Sequence, residues 1–103
     1  MAITNGIKVV TRPLPAKAVA AIRRATGLPI SEIQRRAGSG EYLVEKGLSD
    51  DRGLLEMIEL AEDLSELGVE AELFQGGYER PMEFMRNVYR SHRETAREVG
   101  LEE

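Results

Sequence analysis

Apolar positions along the chain alternate between a period of two and a period near 3.6, and each change of period falls at a glycine or a proline. Ile7-Lys8-Val9-Val10-Thr11 is a β-branched run stopped by Arg12-Pro13-Leu14-Pro15, where two prolines forbid both ladder bonds and an early helix. From Ala16 to Ala25 the residues Ala18, Val19, Ile22 and Ala25 recur at helical spacing, and Gly27 stands where a left-handed residue closes a helix. Leu28-Pro29-Ile30-Ser31-Glu32-Ile33 restarts a short helix, which Gly38-Ser39-Gly40 should end as a tight turn. A second strand is expected over Tyr42 to Lys46.

The third helix has the clearest signature. Ser49 is a good N-cap, Asp50 and Asp51 put negative charge at the positive end of the helix dipole, and Gly68 closes the element. Leu54, Ile58, Ala61, Leu64 and Leu67 form its apolar stripe, while Glu56, Glu59, Glu62, Asp63 and Glu66 form an acidic outer face. Val69 to Phe74 then alternates as a half-buried strand with Val69, Ala71 and Leu73 inward. Gln75-Gly76-Gly77-Tyr78 is expected to be a flexible break. Pro81 suits the first turn of a fourth helix reaching about Val99. On that helix Met82, Met85, Val88, Tyr89, His92, Ala96 and Val99 share one face, and Arg86, Arg90, Arg93 and Arg97 fall in a separate narrow stripe.

The resulting order is β-α-α-β-α-β plus a terminal helix. With Ala25-Thr26-Gly27-Leu28 after Val19-Ala20-Ala21-Ile22-Arg23, then Glu45-Lys46-Gly47-Leu48-Ser49 before the acidic-capped helix and Gly68-Val69-Glu70-Ala71-Glu72 after it, the chain resembles the carboxy-terminal domain of the bacterial ribosomal stalk protein over about residues 7–74. That domain shares its fold group with the Clp protease adaptor. The resemblance implies an α+β fold, a three-stranded antiparallel sheet with helices on one face, occupying residues 1–77; the helix after Pro81 departs from the family and makes residues 78–103 an added C-terminal helical extension. It also implies a docking face on the first helices containing Ala16, Val19, Ala20 and Arg23. The family's lysines on this surface are Ala20, Ser31 and Gln34 here, although Arg35 and Arg36 return positive charge nearby.

Length and composition agree with one domain. A chain of 103 residues can bury roughly 60–68 % of its unfolded surface, enough for one core and too little for two. The amino-terminal Met-Ala-Ile-Thr-Asn-Gly has no basic region leading into an apolar run, and no stretch approaches the roughly 20 apolar residues that span a bilayer, so a cytoplasmic chain is expected. The absence of cysteine removes disulfides, thiolate nucleophiles and Cys-type zinc sites. Charge is unevenly distributed. Residues 1–48 carry eight Lys and Arg against three Glu, whereas residues 49–103 carry six Arg against fifteen acids.

Little of this composition can carry catalysis. His92 is the sole imidazole and lies in an apolar stripe, so it reads as a packed boundary residue before it reads as a base. One His without Cys leaves only carboxylates as metal ligands, and the acids of the third helix read as a solvated face, so neither a metal nor a cofactor is expected. Gly38-Ser39-Gly40 lacks the lysine of a phosphate loop and the flanks of a nucleophile elbow.

The expected function is therefore non-catalytic: a protein-docking module that uses Ala16, Val19, Ala20, Arg23, Arg24, Arg35 and Arg36 on an acidic segment of its partner. Nucleic-acid binding through Lys17, Arg23, Arg24, Arg35 and Arg36 ranks second, and an acidic inhibitor of a basic enzyme, using the third helix, ranks third. The fourth helix must bury its apolar stripe over the open sheet face or on a second copy, and the arginine stripe reads as solvated charge paired with neighbours such as Glu94. Because the acidic half opposes the basic half within a few Debye lengths of about 8 Å, single-stranded or duplex RNA should bind only weakly at physiological salt. Fluorescence anisotropy at that salt checks this, and submicromolar affinity would reverse the ranking.

Overall fold

Strand pairing follows the alternation in the amino-terminal strand, where every second residue is driven toward an apolar layer. A computed structural model of the chain describes residues 3–98, with side chains placed through residue 96. Its elements are β1 (Thr4–Val9), α1 (Ala16–Thr26), α2 (Ile30–Ser39), β2 (Val44–Gly47), α3 (Asp51–Glu66), β3 (Ala71–Gln75), β4 (Tyr78–Arg80) and α4 (Met82–Glu98). The fold is α+β with a fully antiparallel sheet of order β2-β1-β3-β4. Ile7 stands opposite Val44 on one side and Leu73 on the other, and Val9 stands opposite Ala71. Ile7, Val9 and Leu73 are buried together with Ala18, Ile22, Ile33, Leu54, Met57 and Leu64 from the helices. Asn5 shares that side of β1. It is fully buried, its Oδ1 accepts a 3.4 Å bond from Gln75 Nε2, and its Nδ2 has no partner.

The sheet has four strands where three were expected. Gly76 and Gly77 hold φ of 61° and 85°, the left-handed pair that a two-residue type I′ hairpin requires, so the supposed flexible break folds Tyr78–Arg80 back onto β3. Tyr78, Glu79 and Arg80 are all exposed and show no apolar alternation, which is why the pattern hid this strand. Residues 78–103 are thus not helical throughout. Two helix ends also moved. Gly38 and Ser39 lie inside α2, and Gly40, at φ 72°, is its left-handed cap. Asp50 caps α3 in place of Ser49, its Oδ1 accepting a 2.8 Å bond from Gly53 N. Leu67 is 38 % exposed beyond the last turn of α3, so it falls outside the apolar stripe.

Helix α4 packs against α3, with Met85 fully buried in the common core and Met82, Phe84, Val88 and Tyr89 lying against it. The other sheet face stays uncovered. Arg86 bonds Glu62 at 2.8 Å and His92 Nδ1 meets Asp51 Oδ1 at 2.6 Å, which fixes the two helices as antiparallel. Arg97 and Val99, assigned by the pattern to two faces of this helix, lie outside the residues whose side chains are described. Removing the Met85 side chain beyond Cβ leaves a cavity that packed neighbours fill only in part. Met85→Ala should cost about 2–5 kcal/mol and lower a single cooperative thermal transition, read by circular dichroism.

Candidate functional site

Two prolines place the first two helices at an angle that leaves a hollow between them. Pro15 and Pro29 occupy the N-cap positions of α1 and α2 with the same extended geometry, φ −62° and ψ 151°, so each helix starts abruptly after an extended residue. Gly27, at φ 74°, closes α1, its N–H donating to Arg23 O at 2.8 Å. The reversal brings Leu14, Ala16, Val19, Ala20, Arg23, Ile30 and Gln34 around an open depression of about 360 Å³.

Four of the expected docking residues, Ala16, Val19, Ala20 and Arg23, therefore converge on one place. Val19 is only 7 % exposed, so it forms the floor, while Ala20 and Arg23 are exposed at the rim. Ile30 is 46 % exposed, a large apolar side chain left in water beside them. Leu14 and Ile30 were missed at the sequence level, and Gln34 entered there only as a departure from the family's lysines. Helical periodicity can flag Ile30 as apolar, but only the angle between α1 and α2 decides that it faces Ala20 across the hollow. Arg23 has no ion pair among the described residues.

Arg24, Arg35 and Arg36 do not join this hollow. Arg24 is exposed in the last turn of α1 without lining it. Arg35 and Arg36 point to the other side of α2, toward a hollow of about 480 Å³ shared with Lys8, Gly40, Glu41, Tyr42 and Glu45. There they are engaged within the chain. Arg35 grips Glu32 and Glu41, each at 2.6 Å, and Arg36 donates to Glu32 at 2.8 Å and to Leu43 O at 3.0 Å. The Arg35 and Arg36 guanidinium groups hold the Glu32 carboxyl down to about 2, and Glu41 is lowered by the Ser39 hydroxyl and Arg35. The same bonds push Arg35 further up.

The uncovered sheet face carries its own cluster. Tyr42 and Phe74 meet edge to face with centroids 5.5 Å apart, and Lys8 Nζ lies 4.9 Å and 4.8 Å from the two ring centres. Gly6 permits this, since a Cβ there would stand 2.7 Å from Tyr42 Cδ1. Glu72, opposite Lys8 across the ladder, is pushed up by desolvation and by the charge of Glu79.

The arginine stripe of α4 borders a third hollow, of about 400 Å³, with Leu55, Ile58, Glu62 and Tyr89. Arg86 pairs with Glu62, and Arg90 donates to Asn87 Oδ1 at 3.2 Å and not to Glu94. His92 is half-buried and ties α4 to the first turn of α3 through Asp51. No group of three His, Cys, Asp or Glu able to hold a metal ion occurs among the described residues, and no helix among them is long and apolar enough to cross a membrane. No protein-family description, curated protein or solved structure matches the chain.

The Glu32 carboxyl is depressed, so the stabilisation from its pairing is present above its ordinary 4.5 and is lost as pH falls toward about 2. Carboxyl carbon chemical shifts followed by NMR should place the Glu32 midpoint near 2 in the native chain. Arg35→Ala combined with Arg36→Ala should return it toward 4.5, because both cations that favour the carboxylate are then gone.

Proposed function

We propose that the chain is a non-catalytic docking module whose α1–α2 hollow receives an apolar side chain from a partner segment that also carries a carboxylate for Arg23. The observation that carries this reading is the convergence of Leu14, Ala16, Val19, Ala20 and Ile30 on one open depression with Arg23, a cation without an ion pair among the described residues, at its rim. Small side chains at positions 16 and 20 leave room for a guest, and the exposed face of Ile30 gains from being covered. Arg23 supplies orientation: a carboxylate approaching it exchanges water for a charge-assisted bond, and a cation in the same place is repelled. The resemblance to the ribosomal stalk domain implies a docking face on Ala16, Val19, Ala20 and Arg23, all of which line this hollow.

The docking face is smaller than the sequence suggests. Arg35 and Arg36 are occupied by Glu32 and Glu41, so recruiting them would require breaking bonds of 2.6–2.8 Å. That leaves Lys17, Arg23 and Arg24 as the cations near α1, too few to hold a phosphate backbone against the acidic half of the chain. The nucleic-acid reading loses support accordingly.

Affinity purification from the native cell, followed by mass spectrometry, identifies the partner. Binding of that partner by isothermal titration is then compared across two variants. Ala20→Arg fills the hollow and Arg23→Glu reverses the rim charge, and each should weaken binding by at least about tenfold. Melting temperature should stay nearly unchanged, because exposed positions seldom contribute more than about 1 kcal/mol to folding. Native affinity in both variants refutes the proposed face.

A further inference from the structure

The outer surface of the α3–α4 layer carries two parallel rows of opposite charge on either side of an apolar groove. On α3 the row is Glu59, Glu62 and Glu66, seated beside Leu55 at spacings of three and four residues. On α4 it is Arg86, Arg90 and Arg93, seated beside Tyr89. Leu55, Ile58 and Tyr89 line the groove between them. Glu62 and Arg86 pair across it at 2.8 Å. Glu59 has no ion pair among the described residues, and the bond of Arg90 goes to the neutral Asn87.

Such a surface contains its own complement. A two-fold axis running along the groove turns a second copy over so that its α3 lies above α4 of the first, and its α4 above α3. Because Glu62 and Arg86 stand at one level on antiparallel helices, the Glu59 end of each acidic row then faces the Arg90 turn of the other copy, and the two grooves close on each other as the seam of a four-helix layer. We propose that this face is a self-association surface whose occupant is a second copy of the same chain, with Arg90 of each copy meeting Glu59 of the other.

The size of the face sets the strength. Sixteen residues of α3 span about 24 Å, and two helices about 10 Å apart present a width of about 20 Å. That buries on the order of 1,000 Å² from both copies, at the low end for specific contacts. The dimer is therefore weak, exchanges rapidly, and loosens in salt because its charges sit at a rim.

Sedimentation equilibrium of the full chain up to about 0.5 mM, at about 20 mM and about 500 mM salt, reads the association. A reversible monomer–dimer equilibrium that weakens at high salt is expected; a monomer throughout overturns the proposal. Arg90→Glu places like charges opposite each other twice in the pair, and so does Glu59→Lys, so each variant alone should lose association by about tenfold or more. An equimolar mixture of the two variants restores opposite charges at both contacts and should recover it, as should the chain carrying both changes. Because both positions are exposed, thermal melts near that of the unaltered chain are expected for every variant. Association that ignores either reversal, or a mixture that stays monomeric, shows that another surface or an acidic foreign partner is involved.

Discussion

Burial of the helix-facing side of β1 is the constraint that the other elements satisfy. Ile7 and Val9 sit at the centre of the sheet, flanked by Val44 and Leu73, and can leave water only if helices cover one face completely. Helices α1 and α3 do so with Ala18, Ile22, Leu54, Met57 and Leu64, and the small Ala18 and Ala61 let helix backbones approach the core. Asn5 shows how strict the arrangement is. It occupies the same side of β1 as Ile7, where alternation forces it inward, and its Oδ1 accepts a bond from Gln75 Nε2 there.

Covering only one face leaves the second to be managed by side chains. Lys8, Tyr42 and Phe74 close over the glycine notch at Gly6, the ammonium lying against both rings, so the apolar ring surfaces are shielded without another layer. Nearby, Glu32, Arg35, Arg36 and Glu41 neutralise one another at the end of α2. The charge that makes the amino-terminal half basic is thus partly spent inside the chain. Lys17, Arg23 and Arg24 have no ion pair among the described residues, and of these Arg23 alone lines the hollow between α1 and α2.

The two surfaces proposed to take partners differ in kind. The α1–α2 hollow is apolar and has one lining cation, Arg23, without an ion pair among the described residues, which would suit a foreign segment bearing a carboxylate. The α3–α4 layer carries both signs beside one groove, which would suit a copy of itself. They lie on different helices and share no lining residue, so the two contacts need not compete for the same residues. Met85, buried beneath α4, links the second surface to the core, since the helix that carries the arginines also completes the packing.

Sequence periodicity by itself determined that four helices and three of the strands exist and roughly where, because a helix or strand that buries one face must repeat its apolar residues at 3.6 or 2 and stop at residues such as Gly27 and Pro81; the strand bounds shift by up to three residues, β1 running Thr4–Val9 where Ile7–Thr11 was expected. The resemblance to the ribosomal stalk domain, and not the periodicity, suggested Ala16, Val19, Ala20 and Arg23 as a docking face, and all four line the α1–α2 hollow. Tertiary structure alone decided the rest. Strand β4 is exposed throughout and leaves no apolar signal, and it exists because two glycines adopt left-handed φ and β3 offers a free edge. Arg35 and Arg36 look as available as Arg23 in the chain, but partners such as Glu41 and the Leu43 carbonyl are set by the path after α2. Which charges remain free depends on distances between elements, and local spacing carries no information about those.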